Sequence, residues 1–314
     1  MLTIGRCPSG ANVTHSCAFL YNWDMTLPHL DLYEAILARR SVRRYDIQPL
    51  DKVTLDRVKG IISTPQPLIS DNQFHALVYD APAGADLAKD LGGYGRVVNP
   101  PHYVLPYVLG QEHQLEDAGY RVQQIAVRLA SLGIGSCFIG AVRREAEVRA
   151  LYDLPEMARI GAFLVFGRPS DALGGRVTNQ LLRLASGASR KLLASDIFFA
   201  EDFDNPTPPP DHIAPLIEAA RHAPSAANAQ PWRFLWHNER LHIFVTKHNG
   251  RYGRGLQEQY RLHDGGAAMA NITLAMEALD LRGRWEMLEE AEPRIPKHPP
   301  NLQPMATLIL DEEG

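Results

Sequence analysis

Few of the residues that mark a secreted, membrane-spanning or metal-built protein occur in this chain. Three cysteines in 314 residues, Cys7, Cys17 and Cys137, are too few and too far apart for a disulfide framework or a CxxC metal pair. No apolar run reaches the roughly 18 residues that a bilayer-spanning helix needs. The first residues lack the basic, then apolar, then small-residue order of a signal peptide, so a reduced, cytoplasmic protein without a membrane partner is expected. Twelve histidines show no HExxH spacing, and no GxSxG elbow occurs. Neither a metal site nor a catalytic side-chain constellation is expected. A net charge of -4 argues against a nucleic-acid partner while leaving room for local basic patches.

The rest of the composition, 45% hydrophobic and 22% charged residues, suits a globular protein long enough to bury a large core. Residues 1–28 stand apart, with two of the cysteines, little periodicity and Met25 just ahead of the organised region. They read as a loose extension or an upstream start rather than a functional arm. Asn12 heads an Asn-Val-Thr that has meaning only in a secreted chain.

Two stretches of the chain repeat one another. Residues 117–138 read DAGYRVQQIAVRLASLGIGSCF, and residues 264–285 read DGGAAMANITLAMEALDLRGRW. Asp117 aligns with Asp264, Gly119 with Gly266, Gln124 with Asn271, Ile125 with Ile272 and Leu132 with Leu279. Apolar positions recur at three and four residues, so each copy is expected to be a long helix. Asp117 and Asp264 sit where an N-cap or first-turn acid belongs. A wide apolar arc implies that both helices are buried between layers. Strand-like runs cover residues 74–79, 103–109 and 160–166, then 232–236, 241–246 and 305–310, and helices are expected to open near Asp51 and Asp211. Each half is thus helix, strand, strand, helix, strand, an α+β pattern. The segment DNPTPPPD at 204–211 suits a stiff surface connection rather than a boundary between independent domains.

Three segments carry candidate chemistry. ARRSVRRYD at 38–46 packs four arginines and a serine behind a helical pattern. Composition allows either a solvated basic face at a helix C-terminus or arginine forks set for phosphate oxygens. APSAANAQPW at 223–232 is turn chemistry, with small residues that would also let a planar ligand approach the backbone. GIGSCFIGA at 133–141 follows a helix and not a strand, which departs from the dinucleotide order and fits a helix C-cap and turn equally well.

In this order the segments resemble the nitroreductase family of FMN enzymes. The motifs are RRSVR at 39–43, PSAANAQPW at 224–232, the aspartate-led helix closing on GIG, and FGRPS at 166–170 followed by SRK at 189–191. In ordinary members, RxSxR and PSxxNxQPW lie close together in one subunit, and two intertwined subunits share each flavin. Here the first half has GIISTPQPLISDNQF at 60–74 where PSxxN should follow, and the second has DIFFAEDFDN at 196–205 where RxSxR should be. Each half has lost what the other keeps. The chain therefore resembles the fused, single-chain TM-type branch of the family. The resemblance implies a nitroreductase-like fold of two tandem degenerate halves, 29–192 and 193–314. Each half has an antiparallel-rich mixed sheet and a long central helix, and together they form an intramolecular pseudo-dimer and a monomeric protein.

The resemblance also implies one FMN per chain. Arg39, Arg40, Ser41 and Arg43 would contact its phosphate, ribityl chain and ring edge, with Arg190 and Lys191 closing on the phosphate. Phe138, Ile139 and Gly140 would bring backbone to the flavin N5, and Pro224, Ser225, Ala226 and Asn228 would line the opposite side. Arg96 falls loosely at a basic position facing the ring. The implied activity is reduction of nitroaromatic, quinone or similar flat acceptors by ping-pong hydride transfer from NADH or NADPH, with the flavin and no side chain carrying the chemistry. A flavin-binding protein without turnover, or a flavin-cleaving or dehalogenating enzyme, is the alternative on the same scaffold. Such relatives insert a lid; residues 251–261 (RYGRGLQEQYR) read as a lid or as a surface loop. Cys137 reads as a packed thiol without a redox role.

Overall fold

A computed structural model of the chain describes residues 31–81, 87–96, 98–170, 191–289 and 292–311. The expected extension at 1–28 and Arg190 lie outside the described residues, as does the side chain of Arg96. The first part runs α1 (Leu32–Ala38), α2 (Lys52–Ser63), β1 (Gln73–Asp80), α3 (Ala88–Leu91), β2 (His102–Leu109), α4 (Gln114–Ser131), β3 (Gly135–Gly140), α5 (Glu145–Leu151) and β4 (Ala162–Gly167). The second runs α6 (Ala194–Ile197), β5 (Phe198–Ala200), α7 (Ala214–Arg221), β6 (Trp232–His237), β7 (Arg240–Thr246), α8 (Tyr260–Ala278), β8 (Gly283–Met287) and β9 (Leu302–Leu310). Among the described residues no helix is long and apolar enough to cross a membrane.

Local chemistry sets several of these boundaries. Asp51 caps α2 by accepting from the Thr54 N–H at 2.9 Å, and the helix buries Thr54, Val58 and Ile62 along one stripe. Asn238 and Glu239 both take left-handed φ, the two-residue turn that matches the twist of the β6–β7 hairpin. The first sheet has the order β1-β2-β4-β3, and the second repeats that order as β6-β7-β9-β8 with β5 added beside β6. The first sheet is apolar on both faces. Val104, Leu164 and Phe166 pack with α2 and α4, while Tyr103, Leu105, Phe163 and Val165 join Leu91 and Val148.

Helices α4 and α8 pack against each other with their backbones in contact. A Cβ on Gly119 would collide with the His263 carbonyl, and one on Gly266 would collide with the Glu116 carbonyl. Glycine is required at both places because no side chain fits between the two backbones. Beside the contact, the Gln123 amide donates to Asn271 at 2.7 Å.

Several expectations need correction. Asp117 is a first-turn acid of its helix, which opens at Gln114, but Asp264 lies beyond the first turn of its own, which opens at Tyr260, and neither is an N-cap. Both carboxylates instead reach off the helix to backbone N–H groups, of Leu68 at 2.8 Å and Ala226 at 2.8 Å. Helix α7 does open near Asp211, at Ala214, with no side-chain cap. GIGSCFIGA is a helix end only at Gly133; residues 135–140 form β3, because Ser136 to Ile139 pair with Phe166 to Phe163 of β4. DIFFAEDFDN supplies the edge strand β5, parallel to β6. Strand β8 carried no recognised signal.

Candidate functional site

The C-terminal end of α1, strand β3, the loop after α7, the first turns of α8 and residues 251–259 converge on one cavity of about 730 Å³. Arg39 caps the end of α1, where the chain turns away to run beside β3, with the Val42 N–H donating to the Ser136 carbonyl at 2.9 Å. The Arg39 side chain is 6% exposed, and among the described residues its Nε and Nη1 have no hydrogen-bond partner. Burial, with Arg40 and Arg43 adding to it, brings its pKa down to about 10. Arg40 Nη1 donates to the Arg39 carbonyl at 2.8 Å and also to the Leu37 carbonyl.

Lys191 approaches the same end of the cavity, its Nζ donating to the Ala223 carbonyl at 2.8 Å. Burial, then Arg39, Arg40 and Arg221, lower its pKa to about 7. His222 is lowered by burial first, with Lys191 and Arg40 contributing. Around the whole cavity, Arg39, Arg40, Arg43, Arg143, Arg144, Arg251 and Lys191 face a single acid among the described lining residues, Asp264. Arg144 is already matched by Glu147 at 2.8 Å. Arg40, Arg143 and Arg251 are exposed while Arg39 is buried, and a buried cation with so little opposing charge favours an anion beside it.

The opposite wall is the loop Pro224, Ser225, Ala226, Ala227 and Asn228. Ser225 Oγ accepts from the Gln230 N–H at 3.0 Å, tightening it into a knot. Ala227, Asn228 and Gln230 all take positive φ, at 50°, 53° and 48°. None is glycine, so each costs on the order of 1 kcal/mol of backbone strain. Small side chains here and at Ala267 and Gly140 leave a slot in which a flat ring can lie.

At the far end stand Phe138 and Gly140 of β3. Ile139 alternates away, its side chain buried in the core beside Cys137. Burial pushes the Cys137 thiol above its ordinary pKa, as suits packing and not redox work. The Tyr260 hydroxyl lies over Gly140, where a Cβ would strike it.

Arg39, Arg40, Ser41, Arg43, Phe138, Gly140, Lys191, Pro224, Ser225, Ala226 and Asn228 thus line one cavity, although the sequence scatters them over nearly two hundred residues. Sequence reasoning missed Arg143, His263 and Asp264 as wall residues. It left residues 251–261 open between lid and surface loop. Arg251, Tyr252, Gln257 and Tyr260 line the cavity, and Tyr252 is 5% exposed, so this stretch is a wall. A second cavity, of about 240 Å³, is lined by His113, Glu116, Glu289 and Gln303 with apolar neighbours, and by no arginine or lysine among the described residues.

A family model described as "Putative TM nitroreductase" matches residues 31–278. Among solved structures, a "putative nitroreductase" from Thermotoga maritima is 18% identical, with 96% of this chain and 99% of that chain covered and a TM-score of 0.55. It shares the mixed α+β fold. An FMN-dependent nitroreductase from Clostridium difficile is 20% identical over 44% of this chain and 86% of its own, with a TM-score of 0.37. An NADPH:FMN oxidoreductase from Vibrio harveyi is 18% identical over 45% and 70%, also at 0.37. The last two likenesses span less than half of this chain and carry no argument for it. No curated protein matches the chain.

Proposed function

Because the chain belongs to the TM nitroreductase family, we propose that its cavity binds one FMN and that the protein is an NAD(P)H-dependent oxidoreductase of flat acceptors such as quinones or nitroaromatics. The observation that carries this reading is the buried Arg39 guanidinium beside Lys191, with Nε and Nη1 partnerless and no acid at that end of the cavity among the described residues. A dianionic phosphate matches that need, and the cavity volume is that of a cofactor site.

Arg39, Arg40 and Lys191 would hold the phosphate, with Ser41 as an added donor and Arg43 toward the ring edge. Arg190 is proposed for the same phosphate. Positive charge at the ring edge stabilises a reduced, anionic ring system. Pro224, Ser225, Ala226 and Asn228 would line one side of the ring, and Phe138 and Gly140 the edge opposite, with Ile139 contributing backbone alone. FMN held there would supply the redox chemistry between NADH or NADPH and a flat acceptor.

We also propose that 29–192 and 193–314 are duplicated halves, so that the chain is a monomer built as an internal pseudo-dimer. The repeated strand order and the reciprocal glycine contacts of α4 and α8 support this. In the first half, residues 60–74 are drawn onto α4, Leu68 by Asp117 at 2.8 Å and Gln66 by Gln124 at 3.0 Å. The acid-lined small cavity lacks the cations that FMN requires, which supports one site and not two.

A flavin-to-protein ratio measured together with NADH and NADPH oxidation against a quinone tests the proposal. One FMN per chain with turnover is expected. Two FMN per chain would refute the single site. A protein that stays colourless after FMN is added would overturn the whole reading, and a yellow protein inert to both nucleotides would leave a flavin-binding protein without turnover.

A further inference from the structure

The strained loop at 224–230, besides its own Ser225–Gln230 contact, is braced from outside by residues 249–264. Asn249 donates its side-chain amide to the Ala229 carbonyl at 3.1 Å. Arg251 reaches the carbonyls of Asn228 and Ala227 at 3.3 and 3.4 Å. The central member is Asp264, 4% exposed, whose Oδ2 accepts from the Ala226 N–H at 2.8 Å and from the Tyr252 hydroxyl at 2.8 Å. No arginine or lysine pairs with it among the described residues; its nearest cationic candidate is the His263 ring, at 3.8 Å. A carboxylate so buried is kept there by the two donors it serves.

Those donors belong to different parts of the cavity. Ala226 is in the cofactor loop, and Tyr252 anchors the 251–259 wall, which turns at Gly253 and Gly255, with φ of 94° and 73°. One oxygen atom therefore ties loop and wall together. The repeat supplies its own comparison. Asp117 has the same place in its helix and accepts from the Leu68 N–H at 2.8 Å, yet it is matched by Arg121 at 3.0 Å and stands away from the large cavity. Asp117 thus shows what the matching helix acid does when it only fastens a segment.

We propose that Asp264 is a positioning residue that presets the loop 224–230 for the flavin and, through Tyr252, locks the 251–259 wall to it. The inference rests on the FMN reading for its ligand, and on hydrogen bonds within the chain for its mechanism. It goes beyond cofactor contact, because Asp264 acts through Ala226 and Tyr252.

The test uses the full chain and three variants besides wild type: Asp264→Ala, Asp264→Asn and Tyr252→Phe, with Asp117→Asn as the control. FMN affinity is read by fluorescence titration, folding by thermal melting without FMN, and the wall by limited proteolysis near Gly253 and Gly255. Asp264→Ala should raise the FMN Kd about tenfold or more and speed cleavage at the wall. Asp264→Asn, which keeps one acceptor oxygen, should fall between it and wild type. Tyr252→Phe should free the wall with a smaller effect on Kd, and it remains informative if Asp264→Ala does not fold. Asp117→Asn should lower the melting temperature and leave both Kd and cleavage at the wall unchanged. Wild-type Kd and cleavage in both Asp264→Asn and Tyr252→Phe would overturn the proposal, as would equal effects of Asp117→Asn and Asp264→Asn. If wild type takes up no FMN, the functional reading fails by itself, and the cleavage pattern still decides whether the lock exists.

Discussion

Arg39 and Lys191 concentrate positive charge where little water reaches it, and both are expected to answer to an anion. Replacing Arg39 with alanine removes a charge-assisted contact and should weaken FMN binding by about 1.5–3 kcal/mol, measured by titration calorimetry. Unchanged affinity would mean that the phosphate lies elsewhere. Lys191 titrates near pH 7 in the free protein because burial and three arginines disfavour its charge. A bound phosphate favours that charge, so binding takes up a proton above pH 7, and FMN affinity should fall as pH rises from about 7 to 9. Lys191→Arg cannot titrate in that range and should flatten the profile. The letters RRSVR and PSAANAQPW made the two walls legible. The depressed Lys191 pKa was not, since burial, its first cause, and Arg39, Arg40 and Arg221 after it all depend on other segments. The role of Asp264 was hidden likewise, because an acid near a helix start looks like a cap until its partners are known.

Helices α4 and α8 end alike: the Ile134 N–H returns to Leu129 at 3.0 Å, and the Leu281 N–H returns to Met276 at 2.9 Å. The left-handed residue between is Gly133 in one and Asp280, at φ 56°, in the other. Asp280→Gly should therefore stabilise the protein by roughly 0.5–1 kcal/mol in denaturant unfolding, and a loss of stability would show that the aspartate side chain matters there. Gly266→Ala should do the reverse. Its methyl group meets the backbone of α4 and not a flexible side chain, so the two helices must part, at about 1–3 kcal/mol. A fully stable variant would contradict the close crossing. Period and capping patterns exposed most helices and strands. They failed at β3, where flanking glycines resembled a helix end, and at β8, a strand of five residues with no turn signal around it.

Across the whole molecule, the charge of -4 conceals a cavity with seven basic side chains and one acid among its described lining residues. Inorganic phosphate should compete with FMN, and added salt should weaken binding steadily. Affinity indifferent to both would argue that ring contacts, and not the cations, hold the ligand. Family membership, the two long helices and the complementary loss of motifs are all readable from residue order, because helix periodicity and short motifs are local properties of a chain. What brings Arg39, Lys191 and Ser225 to one cavity, makes residues of 251–259 line it, and hangs loop and wall on Asp264 is the return of distant segments to one another. Only the tertiary structure decides those contacts, since burial and hydrogen bonding between segments far apart in sequence depend on where the backbone returns and not on what either segment prefers alone.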